Sequence, residues 1–236
     1  MQEGIKIINN KQINKKNIKG GNCMESRATK IYSNVNKNAI IRVIPGHFAT
    51  THSHINYYVD MTIMKSRKSE AEAAASVLAR KYSTSTYIDT IICMDGCEVI
   101  GAYLADELTK SGIMSLNQHQ TMYVVSPEMN PGGQLIFRDN MQMMIRGKHC
   151  LLLLASATTG RTVARALECI QYYGGIMEGV SAIFSASDRV CDVDINYIFG
   201  KDDIPNYQTY DVDQCPLCAK KVKIDAIVNS YGYSQL

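Results

Sequence analysis

The stretch from Lys148 to Ala155 reads KHCLLLLA, and it restricts the fold more tightly than any other part of the chain. Four consecutive leucines leave no alternation of polar and apolar positions. A strand built from them is covered on both faces, which is the condition of a central strand in a parallel sheet. Parallel neighbours cannot be joined by tight hairpins, so helical crossovers must lie on either side of the run.

The flanking sequence supplies them. KSEAEAAASVLARKY carries Ser69 and Glu72 in capping-box spacing, followed by Ala71, Ala74, Ala75 and Leu78 at helical spacing, and predicts a helix over 69–82. IDTIICM (88–94) predicts a short strand, and IGAYLADELTKSG predicts a helix that ends near Gly112. QTMYVV (120–125) predicts another strand, and the Pro and Gly content of SPEMNPGGQ marks a loop. After the leucine run, RTVARALECIQYYGG places Val163, Leu167 and Ile170 on one helical face, and IMEGVSAIFSA (176–186) is the next strand. Strands alternating with helices predict an α/β fold with an open, doubly wound, mostly parallel sheet flanked by helices. Ligands of such sheets bind at the carboxyl ends of the strands.

The chain has 236 residues, 46% of them hydrophobic, which suits one large domain with a substantial core. A net charge of +3 with scattered Lys and Arg leaves no nucleic-acid footprint. No run approaches the roughly 18 apolar residues of a membrane span. The eight cysteines sit mostly in apolar runs, which suits reduced core thiols and a cytoplasmic protein. Residues 1–23, rich in Asn, Lys and Ile, are expected to be disordered or a non-native extension. Lys19-Gly20-Gly21 is encodable by codons containing a ribosome-binding sequence, which makes Met24 the expected start.

The segment after the leucines, Ser156, Ala157, Thr158, Thr159, Gly160, Arg161 and Thr162, has the chemistry of a phosphate cradle. A loop between a central strand and a helix exposes backbone N–H groups backed by the helix dipole. Small side chains allow close approach, Gly160 relaxes the backbone, and the threonines add hydroxyl donors. An ordinary strand-to-helix turn with threonine caps fits the same residues.

LLLLASATTGRT resembles the phosphoribosyl pyrophosphate signature of type I phosphoribosyltransferases: a hydrophobic strand, two acids, two small residues, then Thr-Thr-Gly-x-Thr. SHINYYVDM (53–61), CMDGCEVIGAYLADEL, FSASDRV and CPLC resemble, in order, pieces of the orotate branch. The likeness spans roughly 40–220. It implies a core sheet over 84–200, a hood-like segment over 40–62 and a C-terminal extension over 201–236. Met94, Asp95, Gly96 and Cys97 fall on the family's pyrophosphate loop, Arg189 on its base-carboxylate contact, and Tyr57, Tyr58 and Asp60 on the motif near the base. The resemblance also implies a homodimer, and magnesium against the ribose and pyrophosphate oxygens. The residues by themselves also fit a surface Arg189 paired with Asp188 or Asp192, and Tyr57 and Tyr58 as ordinary strand residues.

Two departures stand out. The family's acid pair, which holds the ribose hydroxyls, falls on Leu154 and Ala155, and its mobile basic loop falls on 126–147, with only Arg138 and Arg146. Two readings follow: transfer of phosphoribosyl to a pyrimidine-like base, or a catalytically silent protein that senses a nucleotide or phosphoribosyl pyrophosphate. The residues do not assign a catalytic group.

His47, His52 and His54 cluster in GHFATTHSH, and His52 and His54 share one strand face, but no third ligand follows at metal spacing. Cys215 and Cys218 form half of a zinc knuckle with no second pair after it, so a metal would need Cys191 or a partner chain. The expectation is therefore free thiols or an opportunistic disulfide, and no metal. NMQMMI reads as packed apolar sequence.

Overall fold

A computed structural model describes residues 24–110, 116–118 and 121–236. The 1–23 segment and the helix end expected near Gly112 lie outside the described residues. The elements in chain order are β1 (Thr29–Tyr32), β2 (Ile40–Ala49), β3 (Ser53–Asp60), α1 (Thr62–Ser66), α2 (Lys68–Ala79), β4 (Thr90–Cys93), α3 (Glu98–Lys110) and β5 (Tyr123–Val125). They continue with β6 (Glu128–Met129), β7 (Leu135–Ile136), β8 (His149–Ala157), α4 (Arg161–Tyr172), β9 (Ile176–Ser185), β10 (Arg189–Val190) and β11 (Val193–Gly200). The C-terminal part holds β12 (Thr209–Asp211), α5 (Pro216–Ala219), β13 (Ala226–Asn229) and β14 (Gly232–Gln235).

The core sheet runs β5-β4-β8-β9-β11, all parallel, with β10 antiparallel at the edge. This is a doubly wound α/β sheet. Strand order reverses between β4 and β8, so the switch point, where connections leave to opposite faces and open a crevice, lies at their carboxyl ends. The leucine run forms β8 as its uniform hydrophobicity requires. Leu151, Leu153 and Ala155 join the apolar cluster on one sheet face, and Cys150, Leu152 and Leu154 join the cluster on the other. The strand continues through Ser156 and Ala157, two residues beyond the end of the apolar run.

Some expected boundaries move. The Ser69–Glu72 capping box does not form: Arg67, extended at φ −106° and ψ 131°, ends α1 and begins α2 at once. Ser69 therefore lies inside the first turn, where its hydroxyl donates to Glu70, while Glu72 pairs with Lys68 at 2.7 Å. The SPEMNPGGQ loop contains half of a short hairpin, β6 with β7.

The second sheet contains the 40–62 segment expected as a hood and carries that name. β2 and β3 form an antiparallel hairpin, β1 pairs with β2, and the C-terminal segment returns to it, β12 on β3 and β13 on β2. The β2–β13 pairing is brief, Ala226 opposite Phe48 and Ile227 opposite Ala49. Among the described residues, no helix is long and apolar enough to cross a membrane.

Candidate functional site

A cleft of about 340 Å³ opens at the switch point, between the carboxyl ends of β4 and β8 and the hood. Its floor is the 156–162 segment. Gly160 adopts φ 75° and serves as the N-cap of α4, and no side chain caps this helix end. The turn is tight: a Cβ on Gly160 would stand 2.4 Å from Cγ1 of Val190. Glycine is thus required twice here, for the left-handed backbone and for the approach of the β10–β11 hairpin. The threonines do not act as caps, so the first N–H groups of α4 point toward the cleft together with the positive end of its dipole. Arg161 and Arg165 add positive charge to the same wall.

Strand lengths explain the acid in the cleft. β4 stops at Cys93 while β8 runs on to Ala157, so the residues of β8 past Leu153 lack a β4 partner. The chain turns back through Asp95 (φ 59°) and Gly96 (φ 76°), closed by Cys97 N–H donating to Met94 at 3.1 Å. Ser230, Lys65 and the Ala155 N–H surround the Asp95 carboxyl. Burial pushes the Asp95 carboxyl above the ordinary carboxylate range, against the pull of the Ser230 hydrogen bond, the Lys65 charge and the Ala155 N–H. It is the only acid lining the cleft among the described residues.

Lys65, 9% exposed, secures this turn. Its ammonium donates to the Asp95 carbonyl at 2.8 Å and to the Ser230 carbonyl, tying the β4 turn to the C-terminal hairpin. Lys65→Met removes a buried charge-assisted donor from two carbonyls and is expected to cost about 2–5 kcal/mol. Urea unfolding of the two proteins measures it; a loss under about 0.5 kcal/mol, the scale of a neutral surface change, overturns the role.

The expected site residues divide. Ser156, Ala157, Thr158, Thr159, Gly160, Arg161, Thr162, Met94, Asp95 and Tyr58 all line the cleft. Tyr58 is buried, and burial with the nearby Asp60 carboxylate pushes its hydroxyl up to about 12. Tyr57 is not among the lining residues and packs, half-buried, against the main apolar cluster. Gly96 and Cys97 sit behind the turn rather than on the cleft surface. Arg189 also lies off the cleft: its guanidinium donates to the Asp192 carbonyl at 2.9 Å and stands 3.7 Å from the Asp194 carboxylate. Left-handed Cys191 and Asp192 make the β10–β11 turn tight, which turns Arg189 back onto its own hairpin. Arg138 is held by both Glu128 oxygens at 2.7 Å.

Sequence reasoning missed Phe184 and Tyr207, whose rings meet edge-on at 5.1 Å, and the Thr50–Ser53 and Val228–Ser230 rims. It also separated residues that the fold unites. His47, His54, Cys215 and Cys218 place one ligand atom each within 4.8 Å of one another. The pair that CPLC lacked is present; it precedes the cysteines in the chain instead of following them.

No protein-family profile matches the chain. Among solved structures it is similar to a phosphoribosyltransferase from Corynebacterium diphtheriae, with 16% identity and a TM-score of 0.49 over 69% of this chain and 90% of that one. The orotate phosphoribosyltransferase from Aeropyrum pernix gives 15% identity and 0.48 over 68% and 88%. An adenine phosphoribosyltransferase from Rhodothermus marinus gives 12% and 0.45 over 75% and 96%. The fold assignment stands on the strand order and switch point described above.

Proposed function

We propose that this chain binds a phosphorylated ribose, carried by a nucleotide or by phosphoribosyl pyrophosphate, with its 5-phosphate on the 156–162 loop. The observation that carries this reading is the uncapped N-terminus of α4 behind a glycine turn at the switch point, opening into a cleft with threonine hydroxyls and two arginines. The cleft is also lined by the aromatic rings of Tyr58, Phe184 and Tyr207, which suit a planar base.

Catalytic silence is favoured over phosphoribosyl transfer by one specific arrangement. Leu154 and Ala155, at the family's acid positions, are fully buried in the two apolar clusters, and Arg138 of the would-be basic loop is neutralised by Glu128. The cleft does not form a magnesium cage. Among the described residues it offers a single carboxylate, Asp95, so magnesium would arrive held by the ligand's own pyrophosphate oxygens. Binding of a phosphate monoester is accordingly independent of magnesium.

Thermal shift with uridine monophosphate, ribose 5-phosphate and phosphoribosyl pyrophosphate, each with and without magnesium, tests the reading. Saturation at a hundredfold over the dissociation constant stabilises the fold by about 2.7 kcal/mol. Thr158→Val with Thr162→Val removes two hydroxyl donors worth about 1 kcal/mol each, so affinity should fall about 30-fold. No shift with any phosphate, or an unchanged shift in the variant, sinks the assignment. Gly160 is unsuited to this test, because any Cβ there meets Val190 and strains the fold itself.

A further inference from the structure

We infer that His47, His54, Cys215 and Cys218 form a structural zinc site that fastens the C-terminal segment to the hood. The four side chains come from three separate elements. His47 sits in the irregular stretch of β2 between Pro45 and Phe48, His54 lies on β3 opposite Ala49, and the cysteines flank Pro216 at the start of α5.

The ligand atoms are already spaced for a tetrahedral ion. His47 Nε2 stands 3.0 Å from His54 Nδ1, 3.5 Å from Cys215 Sγ and 3.6 Å from Cys218 Sγ. Cys218 Sγ is 3.2 Å from His54 Nδ1. Around zinc with bonds of about 2.3 Å to sulfur and about 2.0–2.1 Å to nitrogen, neighbouring ligand atoms stand about 3.3–3.8 Å apart. These four separations lie within a few tenths of an ångström of that range, and all four ligand atoms lie within 4.8 Å of one another.

Support behind the ligands is in place as well. The Val222 carbonyl, 2.9 Å from His47 Nδ1, accepts a hydrogen bond from that nitrogen, which keeps the proton on Nδ1 and leaves Nε2 with its lone pair toward the cluster. The His47 backbone N–H donates to Asp225 at 2.9 Å, and Arg27 holds the other Asp225 oxygen at 2.7 Å. His47, His54 and Cys215 are buried, while Cys218 is exposed and provides the route of entry. Two thiolates balance the charge of a divalent cation, so the loaded site is neutral where burial demands it. A tetrahedral set of two sulfurs and two imidazoles matches zinc among divalent metals.

The fold also has a use for such a clamp. The short α5 has four residues, too few to persist unaided, and β13 meets β2 at only two register positions. The clamped segments carry the Thr50–Ser53 and Val228–Ser230 rims, so the metal shapes one wall of the cleft without facing a ligand in it.

Metal analysis of the full chain, expressed with zinc and passed through gel filtration, should find about one zinc per chain, as a closed four-ligand site requires. Cobalt(II) in place of zinc should give the intense visible bands and thiolate charge-transfer absorption of a tetrahedral site. Cys218→Ser, at an exposed position, should weaken zinc binding at least about 10-fold. Chelation should lower the melting temperature. A folded chain without stoichiometric metal overturns the inference, as does an octahedral-type cobalt spectrum or undiminished binding in the variant. Should Cys218→Ser fail to fold, the cobalt spectrum of the unaltered chain decides alone.

Discussion

Leu154→Asp combined with Ala155→Asp, the change that would introduce the acid pair of the phosphoribosyltransferase signature that this segment resembles, should unfold this protein. Both positions are 0% exposed, and they point into opposite apolar clusters. Each aspartate would have to ionise without a partner or stay protonated with unmade hydrogen bonds, and an unpaired buried charge costs several kcal/mol. Loss of the Leu154 side chain adds about 2–5 kcal/mol of packing. The sum equals or exceeds the roughly 5–15 kcal/mol by which a domain of this kind is stable. Circular dichroism and thermal melts would show loss of the cooperative transition. A folded double variant with a near-native melting temperature would mean that this end of β8 opens to solvent, and the acid positions would again belong to the cleft.

The same strand shows how far the sequence could be read and where it stopped. Four leucines in a row specify a strand covered on both faces, and covered strands demand parallel neighbours and crossover helices; the order of the core follows from local pattern. The phosphate-loop candidates were legible for a similar reason, since the strand, the small residues and the helix start are contiguous in the chain. Lys65 gave no such signal. It is one lysine in a short helix, and its role exists only because the fold sets it beside Asp95 and Ser230, 30 and 165 residues away. The histidine–cysteine cluster was hidden by the same distance: His47 and Cys215 are 168 residues apart, and a spacing rule written for adjacent pairs cannot join them. Arg189 shows the converse error. A motif matched in order, but the two-residue turn after Val190 decides where the guanidinium points, and the motif does not contain that turn.

Phosphoribosyl transfer from phosphoribosyl pyrophosphate to orotate or uracil should be slow in the unaltered protein even where the ligand binds. The reaction needs little covalent chemistry from the protein. Its rate depends on holding the ribose as charge builds at the anomeric carbon and on stabilising the departing pyrophosphate. At the two positions that the sequence resemblance aligns with ribose-binding carboxylates, this chain has the buried apolar side chains of Leu154 and Ala155, and a hydrogen bond to a charged acceptor contributes about 1.5–3 kcal/mol. Among the described residues Asp95 is the one carboxylate on the cleft surface, and burial disfavours its charged form. A deficit of about 3–6 kcal/mol in the transition state slows the step roughly 10²- to 10⁴-fold from a typical turnover number of about 10 per second, to about 0.1 per second or slower. The measurement is pyrophosphate release with each base at saturating phosphoribosyl pyrophosphate and magnesium, beside a thermal shift showing that the ligand is bound. Binding without release supports a sensor. Turnover at about 1 per second or faster overturns silence, since residues outside the family's acid pair would then hold the ribose. Asp95→Asn, which tolerates the left-handed backbone of that turn, would show whether Asp95 is among them.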